Sequence, residues 1–260
     1  MTSVPIRLSW FACPGISGVR DESTCPGSFG AIKFVDIHDL GLVEYQQAWD
    51  LQNQFAAEIA RGQRSPTLLL LEHPHTYTFG RNGKAENLLW NEAQRKARGV
   101  AVHWTDRGGD VTYHGPGQLV GYPLIRLGRI DQYSRADFVG YLRNLEIMLV
   151  TALARLGLDS APLNGKTGVW VQPREAQKPA KIAAIGVKVD AQGITRHGFA
   201  LNVNPDMSFF DGIVPCGLPD DPVISLAELF SPAPGMPQVK AEIIQAFAQT
   251  FSCYPLLSAL

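Results

Sequence analysis

Cysteine is scarce in this chain: four residues in 260, at positions 13, 25, 216 and 253. They lie too far apart for a disulfide framework or for the paired spacing of a zinc site. That usage fits a reducing cytoplasm. Net charge is nearly absent as well. The 23 basic residues almost cancel the 24 acidic ones, leaving a formal charge of −1. A general nucleic-acid binder carries a basic excess, so this balance argues against one. A local basic patch that docks an acidic protein stays compatible with it. No apolar run approaches the roughly 18 residues of a membrane helix. The first residues lack the basic start and apolar stretch of a secretion signal. The phosphate-cradling order Gly-x-x-x-x-Gly-Lys-Ser/Thr is also missing, because Gly165-Lys166-Thr167 has Ser160 where the first glycine belongs. No internal repeat or low-complexity tract is present.

Hydrophobic residues make up 45% of the chain, enough for one sizeable core and one catalytic domain, which we place at residues 31–260. Residues 1–30 read as an N-terminal extension, because Pro5, Pro14, Gly15, Gly18, Pro26 and Gly27 break any periodicity. Cys13 and Cys25 fall within it. Beyond it, apolar residues recur with helical spacing over 42–59, 134–156 and 239–251. The second stripe is the clearest: Tyr141, Leu145, Met148, Leu149, Ala152 and Leu153 share one face. Short apolar runs at 67–71, 100–105, 119–127, 169–171, 182–189 and 194–203 read as strands. Gly193 makes the last two an antiparallel hairpin. A short helix is expected over 225–230. The fold class is α+β, a mixed, largely antiparallel sheet with helices packed on it.

Four segments carry the candidate chemistry. Residues 107–118 hold four glycines and a proline in twelve positions, a composition that speaks against ordinary helix or strand. It fits either an ordered surface loop or a wall where backbone approaches a ligand closely. Lys181 precedes a run of small and apolar residues. It is either a solvated strand end or a partly buried amine able to act as a base. Residues 196–204 begin polar and continue small, as a plain strand or a cavity wall would. Cys216 lies between Pro215 and Gly217, either as a small buried residue or as a sulfur exposed in a rigid, open turn. His73 and His75 flank Pro74 with no third ligand nearby, so a metal pair is not supported. Cys253 reads as core within the terminal helix.

Together these segments resemble the octanoyltransferase family of lipoate biosynthesis, the lipoyl(octanoyl) transferases also called LipB. The resemblance rests on Glu72-His73-Pro74, on Arg107-Gly108-Gly109 with Thr112-Tyr113-His114-Gly115-Pro116-Gly117-Gln118, on Lys181 with Ala184-Ile185-Gly186, on His197-Gly198-Phe199-Ala200-Leu201-Asn202, and on Pro215-Cys216-Gly217. Order and spacing agree from about residue 32 to about 230. It implies a fold like the biotin and lipoate protein ligase catalytic domain. It implies that octanoyl-acyl carrier protein donates its chain to a cysteine. A lysine of a lipoyl domain, from 2-oxo acid dehydrogenases or the glycine cleavage H protein, then accepts it. On that pattern Cys216 is the nucleophile and Lys181 the partner that assists its ionisation and shuttles the proton. Acyl-chain contacts fall on Arg107, Gly108, Gly109, Asp110, Val111, Thr112, Tyr113 and His114, on Ala184, Ile185 and Gly186, and on Gly198, Phe199 and Ala200. Ala184 stands where serine is often found, and the pattern gives residues 1–30 no role. No metal or cofactor is implied, nor a membrane or nucleic-acid partner, and the chain reads as a monomer.

The chemistry is coherent on its own terms. A thiolate is both a good nucleophile and a good leaving group, as thioester exchange requires. A lysine can take the thiol proton and return it. Two rivals use the same features differently: an ATP-dependent lipoate or biotin ligase, which needs no nucleophilic cysteine, and a scaffold that binds acylated carriers and needs neither Lys181 nor Cys216. Acidic protein partners would further favour a basic rim at the site, for which Arg107, Arg126, Arg129 and Arg143 are the candidates.

Overall fold

The computed structural model describes residues 34–128, 136–174, 176–217 and 220–258. Residues 1–30, with Cys13 and Cys25, therefore lie outside the described residues, as does Arg129. An eight-stranded sheet and a three-stranded sheet form the frame. The large sheet contains β1 (Phe34–Leu42), β2 (Thr67–Glu72), β6 (Gln118–Leu124), β7 (Ala161–Leu163), β8 (Lys166–Val171), β9 (Ala180–Val189), β10 (Thr195–Asn202) and β11 (Tyr254–Leu257). Its spatial order is β11-β1-β2-β6-β10-β9-β8-β7. Only β1 pairs in parallel, with β11 and β2; the remaining ladders are antiparallel. The small sheet is β4 (Ala101–Trp104), β3 (Thr76–Phe79) and β5 (Val111–His114), in that order. The expected mixed, largely antiparallel α+β architecture is what the chain adopts.

Helices cover both faces of the large sheet. On one side lie α3 (Phe138–Arg155) and α5 (Met236–Thr250); on the other lies α1 (Tyr45–Ala60). β2 shows why a continuous apolar run suits this position. Leu68 and Leu70 enter the core under α3 and α5, while Leu69 and Leu71 enter the core under α1. The α3 stripe is buried as its spacing requires. Asp137 fixes its start by accepting a hydrogen bond from the Gly140 N–H at 2.8 Å. Two short helices, α2 (Glu92–Ala97) and α4 (Leu226–Leu229), complete the set. No helix among the described residues is long and apolar enough to cross a membrane.

Several expectations are corrected here. Val111–His114 is a fully buried strand, although its surroundings are glycine-rich. The glycines flank it, and Val-Thr-Tyr-His between them is a run of β-branched and aromatic residues. β3, β7 and β11 have no counterpart in the sequence reading because they are only three or four residues long; nor has β1, where an irregularity between Asp39 and Leu42 and a mixed burial pattern leave no clean period. Cys253 is buried, as expected of a core residue, but it follows α5 and leads into β11 instead of lying in the helix. Burial pushes its thiol up to about 11.

Candidate active site

Cys216 sits in the turn Pro215–Gly217 with φ 57° and ψ 17°, in the left-handed region. A side chain with a Cβ pays roughly 1–2 kcal/mol for that conformation, so the surroundings must impose it. They do so through a chain of bonds. Val214 N–H donates to Asn87 O at 2.8 Å. Asn87 Nδ2 donates to Asp110 Oδ2 at 2.5 Å. Asp110 Oδ1 accepts from the N–H groups of Val111 at 2.7 Å and Lys84 at 3.1 Å. The carboxylate of the glycine-rich segment thus ties the cysteine turn to the 84–88 loop.

Lys181 arrives from β9, and a strand irregularity aims it. Val169 pairs with Ala183, but Trp170 pairs with Lys181, so Ile182 is an extra residue. Ile182 and Ala183 both point into the core under α3 and α5. The bulge returns Lys181 to the opposite face, the one that carries Ala184. There its Nζ lies 4.8 Å from the Trp170 ring centroid and donates to Cys216 Sγ at 3.3 Å. Lys181 is only 7% exposed. Its backbone is clamped as well, N–H to Pro222 O at 2.8 Å and O from Ile224 N–H at 3.0 Å. Among the described residues no carboxylate lies within ion-pair distance of Nζ. The solvated-strand-end alternative is therefore excluded, and the sequence-separated pair meets through the fold.

A pocket opens beside Cys216 between β5, the β9–β10 hairpin, β6 and α1. Ala184, Gly186, Gly198 and Ala200 face it. Their neighbours Ile185 and Phe199 also line the pocket, and both, by strand alternation, pack with the α3 and α5 core on the other side. The same alternation divides β5. Thr112 and His114 line the pocket, while Val111 and Tyr113 pack with Tyr77, Phe209 and Phe210 beneath the small sheet. The structure thus does not bring Val111 and Tyr113 to the pocket, a correction to the expected contact set. Arg107, Gly108, Gly109 and Asp110 form the loop wall. The need for glycine is plainest at Gly198, where a Cβ would overlap Gly121 O; at Gly186 a Cβ would stand 3.1 Å from Arg107 Cδ and 3.2 Å from Gly108 O.

Arg107 is buried. Its guanidinium donates to Thr78 O at 2.5 Å, Thr78 Oγ1 at 2.8 Å and Gly108 O at 2.9 Å. It is part of the wall, not of a surface rim. Arg126 donates to Ala60 O and Gln192 O at 2.9 Å each, and Arg143 pairs with Glu146 at 2.7 Å. Of the arginines expected to form a basic rim, Arg107 is thus removed by its burial, and Arg129 lies outside the described residues.

Sequence reasoning missed Tyr45, Val120, Tyr122 and His197, all of which line the pocket. The first three sit in regular helix and strand patterns that read as core. His197 belongs to the motif His197–Asn202, whose small residues alone signal a cavity wall. His73 is held on both ring nitrogens, by Val43 O at 2.7 Å and Tyr122 OH at 2.8 Å. Burial lowers its pKa to about 4. Burial likewise holds His114 well below the ordinary imidazole value, helped by His73 and Arg107. Nδ1 of His114 pairs with Gln118 Oε1 at 2.8 Å. Among the described residues no group of three or more His, Cys, Asp or Glu could hold a metal ion.

The family model for the lipoyl protein ligase A/B catalytic domain matches residues 44–248. An octanoyltransferase of Chloroflexus aurantiacus is 46% identical over 229 residues, covering 88% of this chain and 99% of that protein. This chain belongs to the octanoyltransferase family. A further octanoyltransferase, from Cytophaga hutchinsonii, is 40% identical over 235 residues, 85% of this chain and 94% of that one. Among solved structures, a bipartite lipoate protein ligase from Thermoplasma acidophilum, studied with its E2 lipoyl domain, superposes with a TM-score of 0.68 at 18% identity over 88% of each chain. A lipoate-protein ligase A bound with ATP gives 0.64 at 16% identity, covering 88% and 89%. At those identities the likeness establishes the shared fold. This chain thus combines the lipoate ligase fold with a cysteine turn that lies beside a buried lysine.

Proposed function

We propose that the protein transfers an octanoyl group from octanoyl-acyl carrier protein to a lysine of a lipoyl domain through a thioester on Cys216. The observation that carries this reading is the 3.3 Å contact between Lys181 Nζ and Cys216 Sγ, at the mouth of a pocket walled by alanine and glycine. Sγ attacks the donor thioester carbonyl while Nζ takes the thiol proton. The tetrahedral adduct collapses, the pantetheine sulfur leaves, and Nζ returns the proton to it. The acceptor lysine then attacks the acyl-enzyme as the free amine, and Nζ takes the proton that the attacking nitrogen gives up. An amide forms, and Cys216 leaves as thiolate held by the resulting Lys181 ammonium. Bonds balance without nucleotide, because the acyl group enters already activated as a thioester.

The family names of the relatives support octanoyl as the chain, and the fold shared with a lipoate ligase studied with an E2 lipoyl domain supports a lipoyl-domain acceptor. Lipoyl domains of 2-oxo acid dehydrogenases and of the glycine cleavage H protein are the acceptors to try. A ligase that makes an acyl-adenylate would require ATP and leave Cys216 unmodified. The test is intact-mass analysis after mixing with octanoyl-acyl carrier protein without ATP. An octanoyl adduct that is discharged by the acceptor supports the proposal. Turnover that depends on ATP, with unmodified protein throughout, overturns it.

A further inference from the structure

Beside Cys216 the polar side chains of Thr112, Gln118 and Asn202 line the pocket together with Ala184 and Ala200. Three residues back along β10 stands His197, with the Tyr122 ring edge-to-face at 6.4 Å and Trp49 of α1 at 5.9 Å. A strand rises about 3.3 Å per residue, so Ala200 and His197 are about 10 Å apart. That is close to the span of an extended eight-carbon chain. His197 therefore stands where the far end of an acyl chain would arrive.

His197 is also held in an unusual way. Its φ of 56° breaks the strand alternation. Its N–H is gripped by Gln52 Oε1 at 2.7 Å. Its Nε2 contacts Asp106 Oδ1 at 2.7 Å, and the other carboxylate oxygen accepts from Lys188 at 2.6 Å and Arg196 at 2.8 Å. With a carboxylate on Nε2, the proton resides there and Nδ1 keeps a lone pair. Burial keeps the imidazole below its ordinary pKa despite Asp106, which favours this neutral form. Nδ1 is buried, with no hydrogen-bond partner among the described residues. An unpaired buried acceptor is unfavourable, and in a pocket-lining residue a ligand can supply the missing donor.

We propose that the pocket accepts acyl chains whose far end carries a hydrogen-bond donor, an ω-hydroxyl in the simplest case, and that His197 Nδ1 reads it. The inference rests on the acyl-transfer reading above and specifies the substrate class for the same site. An octanoyl chain follows the same path with its methyl group against the ring. A hydroxyl on the eighth carbon adds the missing partner.

The test compares octanoyl, nonanoyl and 8-hydroxyoctanoyl pantetheine thioesters as donors to the full-length protein. The last two have the same chain length and differ only in a methyl against a hydroxyl. An apolar pocket end would favour nonanoyl. We expect kcat/KM for 8-hydroxyoctanoyl to exceed that for nonanoyl by about tenfold, the size of one net hydrogen bond. In His197→Phe the order should reverse. A ratio at or below one in the unaltered protein overturns the proposal, and this holds even if the variant fails to fold. A folded His197→Phe with an unchanged ratio removes His197 as the reader. Failure of all three donors to acylate Cys216 would instead sink the acyl-transfer reading, and this inference with it.

Discussion

Replacing Lys181 by Met separates the chemical role of the amine from its packing. Met keeps an unbranched apolar stem against Trp170 and removes only the ammonium. Cys216 Sγ then loses its amine partner at 3.3 Å. General acid–base assistance is worth about 10²–10⁴-fold, which corresponds to about 2.7–5.5 kcal/mol of barrier. Acylation by octanoyl-acyl carrier protein, followed by quenched-flow intact mass, should slow by that factor. Stability should move the other way or not at all. Nζ is buried without a carboxylate among the described residues, and an apolar group of similar volume avoids its desolvation. The thermal midpoint should therefore hold or rise. Lys181→Arg should fail to rescue the rate, because a guanidinium does not release its proton at neutral pH. Acylation of Lys181→Met within about fivefold of the unaltered rate would refute the reasoning. So would a variant that unfolds early while its folded fraction stays fully active.

Gly186→Ala should cut transfer by at least about tenfold while shifting the midpoint little, because the added Cβ presses the Arg107 wall into the pocket; an active variant would show that the wall yields. Stability should fall on acidification from pH 7 to 5. His73 is neutral in the fold with its pKa lowered to about 4, so the unfolded chain, at about 6.5, binds the extra proton. The stabilisation is complete above pH 6.5 and is lost toward pH 4, about 2 kcal/mol at pH 5 for this one group. Denaturant midpoints across that range should show it, and His73→Gln should flatten the slope; a flat profile in the unaltered protein would contradict it. Removing residues 1–30 should leave the transfer rate within a few-fold, and a loss beyond about tenfold with the fold intact would assign that extension a role.

How much was legible follows from where each signal lies. The α3 stripe and the β9–β10 hairpin were readable, because periodicity over many residues is hard to mistake. The Cys216 and Lys181 pair was readable only through the motifs, since nothing local to either residue says that 34 intervening positions close into a contact. The bulge at Ile182 that aims Lys181 leaves no trace in composition. β5 was obscured by its glycine flanks, and with it the alternation that sends Val111 and Tyr113 away from the pocket. Tyr45 and Tyr122 were invisible as site residues because a buried tyrosine on a helix or strand reads as core until its neighbours are known. Arg107 looked like a surface cation for the same reason: a buried charge held by backbone and threonine oxygens has no sequence mark.

The central claim is that Cys216 carries the acyl chain. Brief exposure to octanoyl-acyl carrier protein, rapid acid quench, digestion and mass mapping test it directly. The account expects one octanoyl thioester, on the peptide containing Cys216, labile to hydroxylamine and absent from Cys216→Ala. An adduct on Cys253 or any other residue, or full turnover by Cys216→Ala, would contradict it.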